Sequence, residues 1–215
     1  MTPVTLVGRC FRALVVLLSL NAATILWYYN NVDVVWMIDL TLPEAGQQLT
    51  AEQREATIEA VSNISPLTLG ALAATQLVLI LLVWFFAVAL YLRVVSAIRR
   101  HGFKLKQWFS LVVWCSFPLA LTMLASLASM LAADIEFLRP DRINPLSFAT
   151  LLDIDGLGGS IANHITTTAD LGAIWAATLM VLGYRNWTAS NWLQSVAVAL
   201  GPVALIVTLL YIFAA

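Results

Sequence analysis

Residues 67 to 92 carry no charged side chain, and neither do residues 108 to 133. Each run exceeds the roughly 20 residues that a helix needs to cross the ~30 Å hydrocarbon core of a bilayer. Only structures that satisfy every backbone hydrogen bond internally can lie there. Continuous apolar runs without period-2 alternation meet that demand as helices. Between the two runs lies the one strongly basic stretch, Arg93 to Lys106, which holds five of the eleven Lys and Arg and no acid. A basic turn between two apolar runs is a membrane hairpin, and short loops rich in Lys and Arg stay on the cytoplasmic side. That assignment orients the remaining segments.

Composition agrees. Charged residues are 11% of the 215 and apolar ones 61%, whereas soluble domains carry about 25% charged residues. All twelve acids fall between Asp33 and Glu59 or between Asp134 and Asp170, while eight of the eleven bases lie elsewhere. The expected fold is therefore all-α: a polytopic integral membrane helical bundle, one domain over residues 1–215, with five transmembrane helices. The spans fall at about 11–29, 67–95, 108–133, 170–184 and 191–213. The N-terminus is inside and the C-terminus outside. The outer loops are about 30–65 and 134–168. Ala22 and Ala23 offer a weak signal-peptide cleavage site, but the apolar run continues to Tyr29, so the first helix is read as uncleaved.

Local signals refine this outline. Thr50-Ala51-Glu52-Gln53 has the form of a capping box opening a short helix to about Val61. Pro66 suits a first helical turn, where its missing N–H costs nothing. Pro118 and Pro202 lie inside spans, where each removes a backbone donor and predicts a kink. Asp134, Glu136, Arg139, Asp141 and Arg142 crowd one membrane edge and are expected to pair. Asn144 to Leu152 is apolar but too short to span, so it reads as an interfacial or re-entrant helix.

Chemistry-bearing groups are sparse. Cys10 and Cys115 form no CxxC pair, and both read as small apolar residues. Asp153-Ile154-Asp155-Gly156 opens like a calcium loop, but His164 stands where the closing Glu belongs. No metal set, cofactor motif or catalytic triad is present, and no basic patch with interleaved aromatics suggests nucleic acid. The candidate functional polar residues are Asp170, Gln76 and His164. Asp170 starts an apolar helix, where a carboxylate suits the helix dipole. Gln76 is the only strongly polar interior side chain of its span, and either it or His164 could complete a proton or cation site with Asp170. On the cytoplasmic side, Arg93, Arg99, Arg100, Lys104 and Lys106 form a candidate contact for anionic lipid headgroups, a protein partner or a second copy of the chain.

Gly102-Phe103-Lys104-Leu105-Lys106-Gln107-Trp108, with Ser116-Phe117-Pro118-Leu119 behind it, resembles the start of the membrane region of the Yip1 domain. Asp170-Leu171-Gly172-Ala173-Ile174-Trp175 and the later Gly183-Tyr184 are similar to that family's D-L-F-x-x-W…G helix, with Gly172 where an aromatic is usual. Asn144-Pro145-Leu146 is similar to its preceding outer segment. The resemblance covers about residues 65–213. It implies a non-enzymatic membrane protein, a scaffold or membrane-organising protein of the trafficking type. The compact chain implies a bacterial cytoplasmic (inner) membrane. Eukaryotic relatives act in Golgi traffic and contact Rab GTPases, partly through a long cytoplasmic N-terminal region. About ten residues precede the first span here, so that role is not carried over. A small transporter or channel, built on the polar groups near Asp170 and the broken outer segment, is the alternative.

Overall fold

The computed structural model describes residues 3–41, 50–154, 166–167 and 169–214. Among them every regular element is helical: α1 (Pro3–Asn31), α2 (Val34–Thr41), α3 (Ala51–Ser62), α4 (Pro66–Ile98), α5 (Leu105–Cys115), α6 (Pro118–Ala132), a 3-10 turn (Pro140–Arg142), α7 (Phe148–Leu151), α8 (Leu171–Thr188) and α9 (Trp192–Ala214). Four stretches are long and apolar enough to cross a membrane: Arg9–Asn31, Pro66–Ile98, Leu105–Ala132 and Trp192–Leu209. Leu171–Thr188 is not among them; it ends on Arg185, Asn186 and Thr188, which dilute its apolar character.

The helix ends follow local chemistry. α3 opens on the full capping box: Gln53 N–H donates to Thr50 Oγ1 at 3.2 Å, and Thr50 N–H donates to Gln53 Oε1 at 3.0 Å. α4 begins on Pro66 itself. The segment 34–41, expected as loop, is the helix α2. Asp33 caps it, accepting from Trp36 N–H at 3.0 Å, and the Val-Val-Trp-Met-Ile run after the cap has an apolar partner to pack on. Pro118 does more than bend its helix. α5 stops at Cys115, Ser116 and Phe117 form a turn, and α6 restarts with Pro118 in its first position. At Pro202, by contrast, α9 continues unbroken. The segment 144–152 keeps only one helical turn, α7, with Ser147 Oγ accepting from Thr150 N–H at 3.2 Å.

The chain packs as two compact units, each assembled from segments far apart in sequence. The first comprises Met1–Ser19, Leu79–Leu121 and Gly172–Ala215. Its buried side chains include Leu17, Phe85, Leu92, Trp108, Val112, Val113 and Tyr184. Two glycines let helices approach closely there. A Cβ on Gly183 would meet Leu111 Cδ1 at 2.7 Å, and one on Gly201 would meet Tyr91 OH at 2.5 Å.

The second unit comprises Leu20–Val78 and Thr122–Leu171. Tyr28, Val32, Met37 and Met130 form its apolar centre, with Trp36, Leu127 and Leu138 packed against them. Tyr28 is only 2% exposed, and its hydroxyl donates to Leu138 O at 2.8 Å. Asp33 N–H donates to Glu136 O at 2.9 Å. The expected edge pairing occurs in altered form. Arg139 Nε contacts Asp141 Oδ1 at 3.1 Å, and Arg142 Nη1 reaches Asp153 Oδ1 at 3.0 Å. Asp134 and Glu136 are exposed. Arg54 of α3 pairs with Asp39 of α2.

Candidate functional site

Two pairs of sequence segments, each pair separated by dozens of residues, meet in the structure. The first junction lies in the second unit. Asn144-Pro145-Leu146 folds back on itself: Leu146 N–H donates to Asn144 Oδ1 at 3.0 Å, and Ser147 N–H donates to Asn144 O at 3.2 Å. Pro145, with no N–H to satisfy, suits that turn. The amide of Asn144 is thereby aimed away from its own backbone, and its Nδ2 donates to Asp170 Oδ2 at 2.8 Å. Backbone bonds reinforce the contact on either side. Leu171 N–H donates to Leu146 O at 3.2 Å, and Phe148 N–H donates to Ala169 O at 3.1 Å. Ser147 and Asp170 form an antiparallel bridge.

Asp170 is 5% exposed and stands immediately before α8. A buried carboxylate is costly unless hydrogen-bonded, and this one is held at the point where the segment 144–148 meets a helix start. Its sequence-expected partners are elsewhere or undescribed. Gln76 is exposed on α4, and His164 lies outside the described residues. Asp153, the first residue of the calcium-like loop, spends its carboxylate on Arg142. Asp155, Gly156 and the rest of that loop lie outside the described residues. Among the described residues, no three His, Cys, Asp or Glu side chains cluster as metal ligands.

The second junction lies in the first unit and is aromatic. Trp108, fully buried, stacks on Tyr184 with ring centroids 5.7 Å apart and planes 26° apart. Phe103 lies 5.4 Å from Trp108, edge to face, and Trp187 lies 5.6 Å from Trp108. Such pairs add about 0.5–1.5 kcal/mol each beyond their buried area. The neighbouring Gly183 brings α8 against Leu111 and Cys115 of α5. The turn between α4 and α5 is thus fastened to the end of α8 by rings.

That turn carries the basic residues. Arg100 adopts φ 60° and closes α4 with a Schellman motif: its N–H donates to Ala97 O at 3.2 Å, and His101 N–H donates to Ser96 O at 2.9 Å. Gly102 follows at φ 69°. Lys104 N–H donates to Gln107 Oε1 at 2.8 Å, which opens α5. Arg99, Arg100, Lys104 and Lys106 are exposed, and Arg93 is half-buried. Arg99 Nη1 donates to Gln194 Oε1 of α9 at 3.2 Å. One cation escaped sequence reasoning. The Arg185 guanidinium lies 4.3 Å from the centre of the Trp192 ring. The Arg185 and Trp192 spacing across a predicted turn was the only signal for it.

The residues at both junctions are those that carry the family resemblance: Asn144-Pro145-Leu146 with Asp170-Leu171, and Phe103 and Trp108 with Gly183-Tyr184. No curated protein and no solved structure matches this sequence. The Yip1 domain model matches residues 9–214, which extends the likeness through the first helix and over nearly the whole chain. With four helices suited to spanning a bilayer and both motif junctions formed, this integral membrane protein belongs to the Yip1 domain family.

Proposed function

We propose that the chain is a five-span, non-enzymatic scaffold or membrane-organising protein of a bacterial inner membrane, with its N-terminus inside and its C-terminus outside. The observation that carries this reading is the clamp at Asp170. The buried acid is engaged by Asn144 and by backbone pairing at a chain crossing, as a structural carboxylate would be. A transport site needs a carboxylate that exchanges its partners for ions.

The fifth span is α8. Its 18 residues give about 27 Å at 1.5 Å per residue, close to the hydrocarbon thickness. Arg185, in its last turn, can reach the interface with its long side chain. Contacts inside the first unit support the crossing. The start of α5 and the end of α8 meet through Phe103, Trp108 and Trp187. With Leu105–Ala132 read as a span that leaves that end, α8 read as a span brings the chain back to it. The exposed cations Arg99, Arg100, Lys104 and Lys106 support the reading of that end as cytoplasmic.

The competing reading is a small transporter or channel centred on Asp170 and the broken segment 144–152. Reconstitution into liposomes separates the two. The scaffold reading expects proton and cation flux at the level of protein-free vesicles. Flux that is present in the native protein and lost in Asp170→Asn, at equal incorporation, would sink it.

A further inference from the structure

In the first unit a groove of ≈ 830 Å³ opens between α5 and the end of α8. Its lining is segregated. Leu111, Trp114, Leu179 and Leu182 supply apolar walls, while Arg185, Asn186 and Ser190 gather at the end where α8 turns into α9. Gly183 forms part of the floor, where α8 lies in close contact with Leu111. Arg185 is exposed and has no acidic partner among the described residues; its guanidinium lies over the Trp192 ring. Arg99 hydrogen-bonds Gln194 near the same end of α9 but does not line the groove.

A cavity with apolar walls and one cationic mouth fits an amphiphile with an anionic head. A guanidinium matches a phosphodiester through paired N–H donors, and Trp is the residue favoured at headgroup level. We infer that this groove binds one anionic glycerophospholipid, its phosphate at Arg185 and one acyl chain along Leu111, Leu179 and Leu182. This site is distinct from the diffuse attraction of the basic turn for headgroups, because it is built for one molecule and for its tail.

The test is native mass spectrometry of the detergent-purified full chain. The probes are phosphatidylglycerol and phosphatidylethanolamine with identical acyl chains, and inorganic phosphate as a competitor. The native protein should retain one phosphatidylglycerol in preference to phosphatidylethanolamine. Arg185→Gln should lower that retention roughly fivefold, the effect of one interfacial cation. Asn186→Asp, at an exposed position, should act in the same direction, so the test survives poor folding of the first variant. Leu182→Trp, which fills the groove from an exposed position, should lower retention of both lipids. Equal retention of the two lipids by the native protein would overturn the assignment, as would unchanged retention in both charge variants. Displacement by inorganic phosphate with no effect of Leu182→Trp would make it a free-phosphate site and overturn the lipid reading.

Discussion

Asp170 and Arg100 show how single side chains are pinned. As a helix-start carboxylate alone, Asp170 would contribute only about 0.3–1 kcal/mol through the dipole. Its burial and its bond to Asn144 raise the stakes. Asp170→Asn still offers Asn144 a carbonyl acceptor but loses the charge-assisted part, so a destabilisation of about 1 kcal/mol is expected. Asp170→Ala leaves the Asn144 amide without that acceptor, and about 2–3 kcal/mol is expected. Thermal unfolding in one detergent checks the order; an alanine variant as stable as the asparagine one would contradict the clamp. Arg100 sits in the left-handed region that L-residues enter at a cost of roughly 1–2 kcal/mol. Arg100→Gly should therefore raise the melting temperature by a few degrees while it removes one cation from the basic turn. A fall in melting temperature would mean that the guanidinium, not the backbone, governs this turn.

At the scale of elements, helix packing in the first unit depends on side chains that are absent. Gly183 lets α8 lie against α5, and any Cβ there meets Leu111 Cδ1. Gly183→Val should overpack the contact and cost about 1–3 kcal/mol. Leu111→Ala alone should also destabilise, but the double variant should recover part of the loss, because the added methyls fill the space that Leu111 vacates. Additive losses in this cycle would show that the two positions do not share a contact. Pro118 and Pro202 illustrate why proline is read incompletely from sequence. Both remove a donor. Pro118 follows the Ser116-Phe117 turn and serves as a first helical residue, where its ring is tolerated, so the helix restarts. Pro202 sits inside α9, which runs on through it.

For the whole molecule, the topology turns on α8. Four spans would leave both termini on one side; α8 as a fifth span separates them. An impermeant thiol reagent applied to intact spheroplasts should label a cysteine placed at Ala60 and spare one placed at Lys104. Both positions are exposed, and the native Cys10 and Cys115 are buried. Lys104 is chosen within the basic turn because nearby Gly102, at φ 69°, would strain a cysteine. A reporter fused after Ala215 should read as external. A cytoplasmic reporter there, with the Ala60 and Lys104 pattern intact, would leave α8 on one side of the membrane. Labelling at 104 with protection at 60 would invert the whole orientation.

Long uncharged runs, segregated charge and the Thr50–Gln53 box were enough to read an all-helical membrane protein and most helix boundaries, because desolvation of the backbone and local capping act within one segment. The family likeness was legible too, as short motifs scattered along the chain. Which motifs touch was not legible. Asn144 meets Asp170 from 26 residues away, and Trp108 meets Tyr184 across a still longer separation, through contacts whose energy depends on packing rather than on any local pattern. Gln76, read as an interior polar group from its place in an apolar run, is exposed, since a run apolar all round does not reveal which face turns inward. The helix α2 and the Arg185–Trp192 contact came from the same source: partners that only the folded chain brings within reach.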